Sequence, residues 1–212
     1  MSARTGAGPI SSNLFINGRV DGSNSTAQIF DGGIENQGIV NGGAAGLTLK
    51  GPVFGAGSYE GKVIFDGAFG PGNSPALIGA QDLVFGANNE LSMEVGGLTR
   101  GSEYDAFDAM SVALGGTLDI ALLNGFIPSA GDFFDLFIAE QITGDFDTFN
   151  FAALSGGLFF DTQFISSGAN TIYQLIVVQS QSSSVPEPAT LFIVLVGLAG
   201  AAAAAKRRPR KT

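Results

Sequence analysis

The sequence predicts an all-β body folded as a right-handed parallel β-helix, a solenoid with C-terminal capping strands, followed by one C-terminal transmembrane helix. Three observations carry this expectation. Short apolar runs recur between Ile10 and Val178, and the clearest of them alternate with period two. Glycine, at 32 of 212 residues, is about twice its usual ~7% share and is scattered among Val, Ile, Leu and Phe, as tight turns between short strands require. The chain also ends in an apolar run closed by a basic cluster.

Taken in order, strands are expected at Asn13–Val20, Ala27–Asp31, Gly46–Phe54, Gly61–Phe65, Asp82–Phe85, Glu90–Val95, Ser111–Leu114, Thr117–Leu123, Phe133–Ala139, Phe159–Ile165 and Thr171–Val178. Glu90–Val95 (ELSMEV) and Thr117–Leu122 (TLDIAL) show the alternation most clearly. Nothing before Thr190 keeps helical periodicity for three turns. A sandwich or a barrel fits the same pattern. The solenoid is favoured by many short strands, by Gly-Gly pairs such as Gly42-Gly43 and Gly115-Gly116, and by Asn-Gly and Asp-Gly steps in the N-terminal third. Each coil would bury Val, Ile, Leu and Phe and place Gly or Asn at its corners.

Charge separates the chain into two parts. Five of its ten bases lie within residues 206–211, leaving five bases against eighteen acids up to Ser180. An acidic body has no basic groove for a phosphate backbone, so nucleic acid is not an expected partner. Without cysteine or histidine, disulfides, His- or Cys-built zinc sites and nucleophile–His triads are excluded.

The tail reads as four parts in order. Residues 180–185 form a Ser-rich spacer, and Pro186, Glu187 and Pro188 follow it. The apolar run 189–205 comes next; as a helix it would cover about 25 Å, near the lower limit for crossing a bilayer. Lys206, Arg207, Arg208, Arg210 and Lys211 close the chain, and such a cluster is expected to hold that end in the cytoplasm with the acidic body outside. The expected domains are therefore a body over 1–179, the spacer, and a sorting and membrane segment over 186–212.

This order of Pro-Glu-Pro, short apolar span and basic terminus resembles the PEP-CTERM sorting signal of Gram-negative bacteria that make exopolysaccharide. The resemblance covers Val185–Lys211 and implies recognition and processing near Pro186–Pro188 by an exosortase, a membrane-embedded cysteine-dependent protease or transpeptidase. It also implies a secretory leader. The first twenty residues contain no apolar core longer than Leu14-Phe15-Ile16, so missing upstream sequence is expected. A second stretch, Gly70 to Phe146, resembles the closing coils of autotransporter-like β-helices. It carries Pro71-Gly72-Asn73-Ser74-Pro75, Gly101-Ser102-Glu103-Tyr104-Asp105, Leu114-Gly115-Gly116-Thr117-Leu118 and the Gly-Asp-Phe steps at 131–133 and 144–146. In that reading Tyr104 and Phe126 supply apolar area, and Phe134 and Phe146 close the core.

Candidate chemistry is sparse. Glu103, Asp105 and Asp108 lie within six residues and could serve as paired carboxylates for glycoside chemistry; Arg100 is the one base near them. The solvated-turn reading of these three residues is the stronger. Asn17–Asn24 and Gly144–Asp147 offer oxygen atoms for calcium, although neither has EF-hand or nonapeptide-repeat spacing. No catalytic residue, metal site or cofactor is expected. The expected function is non-catalytic: an exported protein of the cell surface or extracellular matrix, with exosortase and membrane as partners and exopolysaccharide or surface proteins as ligands. The alternative is a carbohydrate-active β-helix enzyme, a polysaccharide lyase or hydrolase.

Overall fold

The computed structural model describes residues 13–180, except 23, 73 and 74. Among the described residues the chain forms seventeen strands and no helix. The first are three residues long: β1 (Leu14–Ile16), β2 (Arg19–Asp21), β3 (Gln28–Phe30), β4 (Ile34–Asn36), β5 (Ile39–Asn41), β6 (Leu47–Leu49) and β7 (Val53–Gly55). Longer strands then alternate with shorter ones: β8 (Ser58–Phe65), β9 (Ala68–Pro71), β10 (Leu77–Phe85), β11 (Glu90–Val95), β12 (Ala106–Leu114), β13 (Thr117–Leu122) and β14 (Phe133–Gly144). The body ends with β15 (Thr148–Phe151), β16 (Leu158–Ser167) and β17 (Asn170–Gln179).

These strands build two sheets. One has seven strands in the order β1-β4-β7-β9-β11-β13-β15, every pair parallel. The other has ten and runs β2-β5-β8-β10-β12-β14-β17-β16, with β6 joined to β8 and β3 to β6. It is parallel as far as β14 and antiparallel where β17 pairs with β14 and with β16.

Register explains why these sequences choose these partners. In the parallel sheet Leu14, Ile34, Val53, Phe69, Leu91, Leu118 and Phe149 stand in one row. In the larger sheet Leu47, Val63, Leu83, Val112 and Ile142 form a second row. A shift of one residue would turn a whole row to solvent, so burial specifies the pairing. The core lies between the sheets: Phe65 stacks on Phe69 with ring centroids 4.2 Å apart, and Phe69 meets Phe107 edge-on at 5.8 Å. Phe85, Phe137, Phe146 and Tyr173 continue the aromatic column. Fully burying each such ring contributes up to about 3 kcal/mol.

The expected fold class is corrected on two points. A right-handed parallel β-helix with a transmembrane helix is not what the described residues form: they form an all-β body with one parallel and one mixed sheet. The larger sheet stops adding parallel strands after β14: β17 pairs antiparallel with β14, and β16, joined to β17 by only Gly168 and Ala169, pairs antiparallel with β17. A two-residue link permits only an antiparallel hairpin, and Gly168 supplies the positive φ (62°) such a turn needs. As to the second point, no helix long and apolar enough to cross a membrane occurs among the described residues. The run 189–205, expected as that helix, lies outside them.

Two expected strands are also divided. Asn13–Val20 breaks at Asn17-Gly18 into β1 and β2, and Gly46–Phe54 breaks at Lys50-Gly51-Pro52 into β6 and β7. Pro52 has no N–H for a ladder; its carbonyl accepts from Ile34 N at 2.8 Å.

Candidate functional site

The larger sheet bends along one line across its strands. In β10 Ile78 is buried, then Leu83 and Phe85; in β12 Phe107 is buried, then Val112 and Leu114. In β14 the buried residues are Phe137 and Ala139, followed by the partly buried Ile142. The inward parity changes midway in each strand, so two consecutive residues face outward: Gln81-Asp82, Met110-Ser111 and Glu140-Gln141. In β8 the same line holds a bulge, with one more residue than β10 between Tyr59↔Ala80 and Lys62↔Asp82. Gly61 sits in it with φ of 59°, a conformation in which a side chain would be strained. Between β5 and β6 the line is a loop, residues 42–46.

These residues enclose a shallow cleft of about 450 Å³ lined by Gly43, Ala44, Gly61, Lys62, Gln81, Asp82, Met110, Ser111, Glu140 and Gln141. Part of its wall is fixed by hydrogen bonds. Gly61 N donates to Gln81 Oε1 at 2.8 Å, and Ser111 Oγ donates to Asp82 Oδ1 at 2.6 Å. Lys62 N donates to the Gly43 carbonyl at 3.0 Å. The side chains of Lys62, Glu140 and Gln141 have no partner among the described residues, while Met110 presents an exposed thioether. One cation, two carboxylates, two carboxamides and a hydroxyl lie around an apolar patch. That set suits a ligand with many hydroxyl groups and apolar ring faces. The four strands β8 to β14 span about 14 Å at the usual ~4.8 Å spacing, which calls for an extended ligand.

The structure does not bring the sequence-derived carboxylates to this cleft, and each has its own structural engagement. Glu103 Oε2 accepts from Leu98 N at 3.0 Å and Thr99 N at 2.8 Å. Its hydrogen bonds with Thr99, then that with Leu98, hold the carboxyl below its ordinary range. Asp105 is fully buried, accepting from Ala76 N at 2.7 Å and Glu94 N at 2.8 Å. Burial nonetheless pushes its pKa up to about 6. Asp108 pairs with Arg100 Nη1 at 2.8 Å.

The segments considered for calcium are engaged likewise. Asp21 accepts from Arg19 Nε at 2.7 Å and from Asn41 Nδ2 at 3.1 Å. Asp145 Oδ1 accepts from Phe146 N at 2.8 Å and from the Tyr173 hydroxyl at 2.6 Å, and Asp147 accepts from Gly116 N at 2.8 Å. Among the described residues no group of three or more acidic side chains is placed to hold a metal ion. Tyr104, Phe134 and Phe146 lie in the core. Tyr104 meets Phe134 edge-on at 5.3 Å, and Phe126 packs on the same ring at 6.3 Å. Asn73 lies outside the described residues.

Sequence reasoning missed the cleft, although its signal was present: an apolar alternation that restarts after two consecutive outward residues, at the same place in three neighbouring strands. The processing triplet Pro186, Glu187, Pro188 and the basic residues Lys206, Arg207, Arg208, Arg210 and Lys211 lie outside the described residues.

Residues 184–210 match the family model of the PEP-CTERM protein-sorting motif. The motif marks an exported protein whose precursor is membrane-anchored and sorted by an exosortase. No curated protein matches the chain, and the likeness of Gly70–Phe146 to autotransporter bodies gains no support there.

Proposed function

We propose that this chain is a non-catalytic protein of the cell surface or extracellular matrix, delivered by its C-terminal signal and held there in association with exopolysaccharide. The observation that carries the reading is the sorting motif at 184–210. In this reading exosortase acts near Pro186, Glu187 and Pro188. Lys206, Arg207, Arg208, Arg210 and Lys211 keep the C-terminus of the precursor on the cytoplasmic side. The bend cleft supports a glycan ligand, since its unpartnered amide, carboxylate and ammonium groups match the hydroxyls of a sugar chain. A role without catalysis is supported by Glu103, Asp105 and Asp108, each bound to backbone or to Arg100. No cofactor enters the reading.

The test is the intact mass of the protein, expressed behind a secretory leader in cells with and without the exosortase. The expected mature mass is lower by the residues after the Pro-Glu-Pro site, and only where the enzyme is present. An unchanged mass, with the protein retained in the inner membrane, would overturn sorting to the surface.

A further inference from the structure

The larger sheet ends on β16, which pairs with β17 over ten consecutive residue pairs without a register shift. Its other side has no strand partner among the described residues. Most outer strands of the two sheets are short: β1, β2 and β3 have three residues and β15 has four. β16 has ten, about 33 Å of unpaired edge. Natural sheets blunt such an edge with proline, lysine or a bulge, and Leu158–Ser167 (LFFDTQFISS) has none of these.

Two features of the edge suggest a missing neighbour. Phe164 meets the buried Tyr173 edge-on with ring centroids 4.9 Å apart and shares the face of the buried Phe160, so it lies on the core side, yet it is 47% exposed. The Thr162 N–H donates to the adjacent Asp161 carboxylate at 2.9 Å, a side-chain acceptor that a second strand could replace.

We infer that β16 pairs antiparallel with β16 of a second copy of this chain, about a two-fold axis perpendicular to the sheet and midway between the two Thr162 residues. Such an axis keeps each residue on its own face, so opposed residues are separated by an even number of positions. Centring on Asp161 would set two carboxylates against each other, and like charges directly opposite are destabilising. Centring on Gln163 would set Asp161 against Ile165 and Phe164 against Thr162. Centring on Thr162 sets Phe160 against Phe164, Phe159 against Ile165, and Asp161 against Gln163. Aromatic meets aromatic, and a carboxylate meets an amide. Gln163 donates one N–H to Gln174 Oε1 at 2.7 Å and keeps a second for that carboxylate.

A chain without cysteine allows a direct test of register. In the full-length protein Thr162→Cys would place two thiols across the axis, about 5.5 Å apart between Cα atoms, within disulfide reach. The expected result is a covalent dimer under mild oxidation. Leu158→Cys, opposite Ser166, should yield at least tenfold less. Sedimentation should show a concentration-dependent dimer of the unmodified chain. Gln163→Glu, which opposes two pairs of carboxylates, should weaken it at least tenfold, and adding Asp161→Lys should restore it. Equal cross-linking at both positions, or an unmodified chain that stays monomeric at ~100 μM, would overturn the proposal. Association through the tail alone would also appear as failure of Thr162→Cys to cross-link, and would overturn it equally.

Discussion

Asp105 ties together three pieces of chain that are distant in sequence. It is fully buried, and its two oxygens accept the N–H groups of Ala76, just before β10, and Glu94, in β11. Desolvation is the largest influence on it and raises its pKa; the two backbone hydrogen bonds lower it, and the nearby Glu94 charge raises it slightly. A folded-state value of about 6 lies above the ordinary carboxylate value, so folding favours the protonated form. The associated stability is complete below about pH 4 and is lost as pH rises through 6. Lowering pH from 7 to 5 should therefore raise the unfolding free energy by about 1 kcal/mol. Urea unfolding at the two pH values checks this, and the rise should disappear in Asp105→Asn. Asp21, held low chiefly by Arg19, and Glu103, held low by Thr99, act in the opposite sense, but only at lower pH. At this scale the sequence was legible in part. It pointed to Glu103, Asp105 and Asp108 as a cluster, but neighbours in sequence were given different partners by the fold.

Between β11 and β12 an inserted loop is fastened by Arg100. Its Nε donates to the Asp135 carbonyl at 2.9 Å and its Nη2 to the Phe107 carbonyl at 2.7 Å, binding the loop to β14 and β12. Asp108 completes the set but is half exposed, so that ion pair contributes little. Arg100→Met should destabilise the body by about 1–3 kcal/mol, chiefly by leaving two carbonyls without a donor. Arg100→Lys should recover less than half of that, because one ammonium cannot reproduce the planar fork; chemical unfolding distinguishes the two. The strands themselves were read best where alternation is unbroken: Glu90–Val95 is β11, and Thr117–Leu122 is β13. Where the sheet bends, only one half of a strand was visible. Asp82–Phe85 and Ser111–Leu114 were expected, while β10 begins at Leu77 and β12 at Ala106. Period-two reasoning cannot cross a line where two residues in succession face outward.

Across the whole molecule, the cleft exists because β8, β10, β12 and β14 bend in register, bringing residues eighty positions apart into one surface. Its polar groups are partly unengaged, so Glu140→Ala should leave thermal unfolding unchanged while reducing retention on exopolysaccharide in affinity electrophoresis at least fivefold. Glu90→Ala, on the outward face of the parallel sheet, should change neither. Loss of retention in both variants would point to general charge rather than the cleft.

By itself the sequence determined the all-β character of the body, through apolar alternation and dispersed glycine, and the sorting motif, which is a contiguous string. It also excluded histidine- and cysteine-based chemistry outright. Only the tertiary structure decided that the larger sheet is mixed, that three clustered carboxylates take separate partners (backbone N–H groups for Glu103 and Asp105, the Arg100 side chain for Asp108), and that a cleft follows the bend. The physical reason is range. Alternation and motifs are local and survive in one dimension, whereas a strand's partner, a buried carboxylate's donors and a cleft's opposing walls are chosen among residues beyond that local range, as Asp105 takes its donors from 11 and 29 positions away.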